Sequence, residues 1–113
     1  MKNSMDTNLP LSEQTYFILL SLRASPKHGY AIAKDVQTLS NGRVVLSIST
    51  LYTTIKRLLD DKWIKLIDTT TDSNRPRKIY ELTKAGGNVL LGEVQRLGTL
   101  VSAARISGME GVL

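Results

Sequence analysis

Between Ser49 and Arg57 the sequence places Ser49, Thr50, Tyr52, Thr53, Lys56 and Arg57, with no carboxylate before Asp60. Hydroxyl, phenol and cationic side chains supply hydrogen-bond donors and positive charge, which is the chemistry that reads base edges and grips phosphates. A second concentration, Arg75, Arg77 and Lys78, stands against Asp72 alone. Cations grouped in this way suit a phosphate backbone, where each contact releases condensed counterions. The whole chain carries 15 Lys and Arg against 10 Asp and Glu, a formal charge of +5. The span from Arg43 to Lys78 holds eight of those cations and four of the acids, so the basic excess is concentrated in a third of the chain.

Other chemistries are poorly served. There is no cysteine, which excludes disulfides, thiolate metal sites and cysteine nucleophiles. A single histidine, His28, cannot build a His-rich metal site or a conventional triad. Asp60 and Asp61 are adjacent on a helix and diverge by about 100°, unsuited to sharing a substrate. The sequence therefore reads as a non-enzyme, with no catalytic residue, no metal and no cofactor. The polar stretch Met1–Pro10 lacks the apolar core of a signal peptide, and the longest apolar run, Tyr16–Leu20, is far too short to span a bilayer. A basic membrane-surface helix would carry its cations along its length, whereas the C-terminal segment has only Lys84, Arg96 and Arg105. The expectation is a cytoplasmic protein without a membrane partner.

At 113 residues and 42% hydrophobic composition the chain has room and apolar material for one domain. Residues 1–10 read as a flexible arm. Ser12 is a helix N-cap, with Leu11 and Tyr16 spaced for a hydrophobic staple. The first helix runs to Ala24, with Phe17, Leu20 and Ala24 at helical spacing and Leu19 and Leu22 broadening the stripe. Ser25–Gly29 stops it. A second helix spans Tyr30 to Leu39, with Ile32, Val36 and Leu39 on one face and Asn41 or Gly42 as a left-handed cap. Ser47 or Ser49 caps a third, whose inward stripe is Leu51, Ile55, Leu58 and Leu59.

The period then changes to two. Trp63–Thr70 and Arg77–Thr83 read as strands, with Ile64 and Leu66, then Tyr80 and Leu82, alternating. Thr71–Pro76 is the turn between them. A last helix runs from Lys84 to about Ile106, where Leu90, Val94, Leu97, Val101 and Ala104 recur as a heptad seam, suited to a second subunit or, alternatively, to folding back on its own domain. Residues 107–113 read as a frayed tail. The predicted fold is mainly α with a two-stranded β-hairpin. It comprises a winged helix-turn-helix domain over residues 11–83 and a C-terminal dimerisation helix over 84–106. In such a layout the third helix enters the DNA major groove and the hairpin lies on the flanking backbone.

The residues also resemble a known family. His28-Gly29-Tyr30-Ala31-Ile32, then Ser49-Thr50-Leu51-Tyr52 leading to Lys56-Arg57-Leu58, then Arg77-Lys78-Ile79-Tyr80-Glu81-Leu82-Thr83-Lys84-Ala85-Gly86 resemble the PadR family of bacterial transcriptional regulators, over roughly Leu11 to Leu91. Ser49 and Thr53 stand where that family usually has glycine and proline, and Lys62-Trp63 replaces its usual glycine before the first wing strand. The resemblance implies a homodimeric repressor of double-stranded DNA and makes Tyr52 the foremost DNA contact, supported by Thr50, Lys56 and Arg57. It assigns Gly29 to the tight start of the second helix and Tyr30 to packing. It further implies release by a small aromatic or lipophilic effector at or near the dimer interface, although no residue here names one. Trp63 reads as a core aromatic between the hairpin and the third helix.

Two readings follow. The first is a dimeric repressor on a pseudo-palindromic operator, with the third helix discriminating sequence and Arg75, Arg77 and Lys78 on phosphates. The second is a winged-helix module that binds protein and not DNA, because the fold serves both uses. Singly, each basic feature also suits a solvated surface, as Lys56 and Asp60 at i,i+4 illustrate. Together and in this order they favour DNA.

Overall fold

The computed structural model describes residues 8–72 and 75–112, and side chains over 8–69 and 77–111. Helix α1 (Glu13–Ala24) leads into a two-residue strand β1 (Lys27–His28), then α2 (Gly29–Leu39) and α3 (Ile48–Asp60). The long strands β2 (Ile64–Asp72) and β3 (Arg75–Leu82) precede α4 (Lys84–Ala104). The fold is mainly helical with a small antiparallel sheet, but that sheet has three strands in the order β1-β3-β2, not two. The segment expected only to stop α1 pairs with β3, Lys27 opposite Tyr80 and His28 opposite Ile79. Two residues are too short to show a period of two in sequence. The hairpin is also longer than expected. Thr71 and Asp72 continue β2, and Arg75 and Pro76 begin β3, with Pro76 opposite Thr71 in the ladder.

Ser12, Ser47 and Thr83 cap α1, α3 and α4, each side-chain oxygen accepting an amide three residues on. Such caps satisfy amides that the first helical turn leaves free. Helix α2 is capped by His28, whose ring accepts the Ala31 amide. The helix ends are also specific. After α2, Asn41 takes φ +56° and the Gly42 amide donates to the Gln37 carbonyl at 2.7 Å. After α3, Lys62 takes φ +63° while Lys62 and Trp63 donate to Leu59 and Leu58, both at 3.0 Å. Both are Schellman closures. The second places a lysine in the left-handed region that glycine tolerates best, at the position where the resembled family usually has glycine.

The core joins Ile18, Leu19 and Leu22 of α1, Ile32 and Val36 of α2, Leu51, Ile55 and Leu58 of α3, Ile64 and Tyr80 of the sheet, and Leu90 of α4. Several sequence expectations are displaced. The inward stripe of α1 is Ile18, Leu19 and Leu22 with Thr15 and Ser21, while Phe17 and Leu20 are half-buried and Ala24 is exposed. Thr15 and Ser21 can be buried because each has a partner: Ser12 and Arg57 for Thr15, and the Asp35 carboxylate for Ser21 at 2.9 Å. Leu39 is exposed, and Ser40 takes the interior place instead, its hydroxyl accepting the Val44 amide at 2.9 Å. Leu66 is exposed, next to a register shift between Leu66 and Asp68. Lys27 ties the helix pair together, donating to the Ser21 carbonyl at 2.6 Å beside Asp35.

Helix α4 is joined to the domain at its first half. The Thr83 amide donates to the Trp63 carbonyl at 3.0 Å, and a β-carbon on Gly86 would stand 2.0 Å from that same oxygen. Only glycine lets α4 cross there. Of the expected heptad seam, Leu90 lies in the domain's own core, at 3% exposure. Val94 and Val101 are exposed and Leu97 and Ala104 partly so, and Leu91 and Leu100 are exposed beside them. Beyond Ala104 the chain continues through a wide helical turn (Arg105–Met109), with Gly108 at φ +101°, and a short turn over Glu110–Val112, where no regular element is expected. No described helix is long and apolar enough to cross a membrane.

Candidate nucleic-acid interface

The inward stripe of α3 determines what its other side presents. With Leu51, Ile55 and Leu58 buried, the helical period of about 100° per residue turns Ser49, Tyr52, Thr53 and Lys56 outward together. All four are exposed. Asp60 lies on the same side, one turn beyond Lys56, and the two form an exposed ion pair at 3.4 Å. Such a pair contributes a few tenths of a kcal/mol and is readily exchanged for another partner.

Thr50 and Arg57 lie at the edge of this group. Thr50 is half-buried and accepts a hydrogen bond from the Ser47 hydroxyl at 2.9 Å, so it completes the cap of α3. Arg57 is exposed, about 40° around the helix from Thr53, and also donates to the buried Thr15 hydroxyl of α1. Of the six residues grouped in sequence, five are exposed on this side of α3 and Thr50 is half-buried at its edge.

Tyr52 extends the exposed face toward α2 and the sheet. Its ring lies over Gly29 so closely that a β-carbon there would be 2.7 Å from the phenol oxygen. A cleft of about 300 Å³ opens beside it, lined by His28, Tyr30, Arg77, Lys78 and Tyr80 as well. Tyr80 is buried at its floor, and burial pushes its phenol above the ordinary value of 10.0, with Tyr52 adding to the effect. The cations Arg77 and Lys78 of β3 thus stand beside the outward face of α3. Arg77 also approaches the His28 ring, with Nη1 3.1 Å from Nε2. The Arg75 side chain lies outside the described residues.

Two contributors are not legible from sequence motifs. Tyr30, expected to pack, is 74% exposed and borders the cleft. Its position two residues before Ile32 sets it on the opposite side of α2 from the core, a signal that helical spacing does carry. His28, as a lone histidine, suggests in sequence only a metal ligand or catalytic base without companions. Nothing in its sequence neighbourhood announces the approach of Arg77, which is 49 residues away.

The transcriptional regulator PadR-like family matches residues 18–91 of the chain. Among similar solved structures is a PadR family transcription regulator from Clostridium difficile, 25% identical with a TM-score of 0.70, covering 83% of this chain and 96% of that one. Another is a PadR-like transcription factor from Bacteroides fragilis, 26% identical with a TM-score of 0.63, covering 82% and 86%. Bacillus subtilis PadR in complex with operator DNA is 27% identical with a TM-score of 0.63, covering 71% of this chain and 45% of that one. The chain therefore matches less than half of that DNA-bound protein. No curated protein sequence matches the chain significantly.

Proposed function

The chain belongs to the PadR-like family of transcriptional regulators, and from that membership we propose that it is a DNA-binding transcriptional repressor that works as a cytoplasmic homodimer. The observation that carries the reading is the outward face of α3, with Ser49, Tyr52, Thr53 and Lys56 exposed, whose Tyr52 shares a cleft with Arg77 and Lys78 of β3. It combines donors for base edges with cations for the backbone, on elements that a winged helix turns toward one duplex. In this reading α3 lies in the major groove. Tyr52 and Lys56 are its main contacts, and Arg77, Lys78 and Arg75 follow the flanking phosphates.

The C-terminal part of α4 supports the homodimer. Val94 and Val101, exposed, and Leu97 and Ala104, partly so, fall on one side of a helix already anchored by Leu90, and an apolar stripe of this kind favours burial against a second copy. Two such copies related by a two-fold axis read a pseudo-palindromic operator. A small aromatic or lipophilic effector would enter this same apolar interface.

The test is selection of bound fragments from a genomic DNA pool by the purified protein at fixed salt, followed by titration of the selected duplex. Enrichment of a two-fold-related sequence, weakened by Tyr52→Ala with Lys56→Ala, is expected. Equal recovery of all fragments, or unchanged affinity in the double variant, would overturn the assignment.

A further inference from the structure

Tyr80 divides its side chain between two surroundings. Its ring belongs to the core with Ile18, Ile55 and Ile64, and the residue is only 4% exposed. A buried tyrosine hydroxyl ordinarily finds a hydrogen-bond partner. Among the described residues, that of Tyr80 has none. No fully buried side-chain oxygen among them lacks a partner. The Tyr80 hydroxyl is therefore the part of the residue that opens into the cleft of about 300 Å³ beside Tyr52. Burial, with Tyr52 adding to it, raises the phenol above its ordinary value of 10.0, so the hydroxyl stays protonated and able to donate.

Lys78 stands two residues earlier on β3, and the alternation of a strand turns the two side chains to the same face. Lys78 is exposed, lines the same cleft and has no ion-pair partner among the described residues. Tyr30 and Tyr52 supply aromatic walls, and no carboxylate borders the cleft among the described residues. A neutral donor at the floor and a cation at the rim, both unpartnered, suit a negatively charged oxygen. Because Tyr52 also belongs to the outward face of α3, an anion seated here lies beside whatever that face reads.

We propose that the Tyr80 hydroxyl and the Lys78 ammonium together seat one backbone phosphate of bound DNA, the phenol from the floor of the cleft and the lysine from its rim. The contact rests on the DNA-binding reading and adds to it a donor that belongs to the protein core. Packing holds the Tyr80 ring in place, so its hydroxyl gives the phosphate a fixed position. An exposed lysine alone supplies charge on a flexible stem.

Tyr80→Phe deletes the hydroxyl and keeps the ring. With no internal hydrogen bond to lose, its melting temperature is expected to match wild type. By fluorescence anisotropy, affinity is expected to fall about fivefold for a selected duplex and a mixed-sequence duplex alike. The salt slope should not change, because no charge is removed. Duplexes carrying one neutral methylphosphonate at each backbone position in turn locate the phosphate. At one position in each half-site the neutral group is expected to weaken wild type more than Tyr80→Phe. Each protein is its own reference there, so the comparison holds even if the variant melts earlier. The proposal is overturned if Tyr80→Phe binds both duplexes as wild type does, if its loss is confined to the selected duplex, or if no methylphosphonate position separates the two proteins. Inorganic phosphate at matched ionic strength is expected to displace duplex equally from both. Stronger displacement from wild type would assign the seat to a free anion and overturn the backbone contact. Absence of binding to any duplex would remove the DNA-binding reading itself, and this contact with it.

Discussion

The phenol of Tyr52 lies across the backbone of Gly29, leaving only 2.7 Å between its oxygen and the place a β-carbon would occupy. This contact ties the foremost side chain of α3 to the first residue of α2, so the outward face of one helix is aimed by the start of another. Gly29→Ala is therefore expected to separate folding from recognition. The far end of Tyr52 can swing aside at little energetic expense, and alanine favours a helix over glycine by up to about 1 kcal/mol. Thermal stability should be unchanged or slightly raised. Affinity for a selected duplex should fall severalfold by fluorescence anisotropy, and wild-type affinity would show that the Tyr52 position is not read.

The wing cations should act without regard to sequence. Replacing Arg75, Arg77 and Lys78 by Ala is expected to weaken binding to selected and random duplexes alike. For every phosphate no longer neutralised, the slope of log K against log salt becomes shallower by about 0.9. An unchanged slope would mean that the hairpin does not touch the backbone.

Lys56 and Arg57 are neighbours in sequence with separate destinies in space. Arg57 donates to Thr15 of α1, whereas Lys56 is held only by exposed Asp60. Arg57→Ala is expected to lower folding stability by about 1 kcal/mol with little effect on DNA affinity once folded. Lys56→Ala should do the reverse. Urea denaturation and anisotropy on both variants distinguish them, and a loss of affinity confined to Arg57→Ala would reverse the assignment.

Glu93 is buried on α4, where it accepts from Arg96 at 2.6 Å and from the Leu11 amide at 2.9 Å. The Arg96 hydrogen bond, opposed by burial, holds its carboxyl below the ordinary value of 4.5. The stability this provides is complete above that ordinary value and disappears as pH falls through the lower value of the folded state. Glu93→Gln is expected to melt earlier than wild type at neutral pH and to show a shallower acid-side decline. Parallel melting curves from about pH 6 to about pH 3 check this, and identical pH profiles would refute it.

If the proposed homodimer forms through α4, a charge on its exposed apolar side should break it while sparing the domain. Val101→Glu is expected to sediment as a folded monomer with lower operator affinity, because two half-sites are then bound independently. Leu90→Glu should instead unfold the chain, since Leu90 is buried.

Much of this protein is determined by local sequence. The Ser12 cap, the α3 stripe of Leu51, Ile55 and Leu58, and the change of period after Trp63 each act over a few residues, so spacing alone reports them. The concentration of cations between Arg43 and Lys78 is likewise a property of order and composition. What tertiary structure decided is which polar side chains are free to meet a partner. Arg57 is drawn to α1, Leu90 enters the core, and Tyr30 stays in solvent, because each outcome depends on what another element places opposite. Strand β1 exists only because β3 offers it a ladder to join. Glu93 is buried only because Leu11 and Arg96 satisfy it. The meeting of His28 with Arg77 belongs to the same class: a juxtaposition across the sheet leaves no trace in the spacing of either residue.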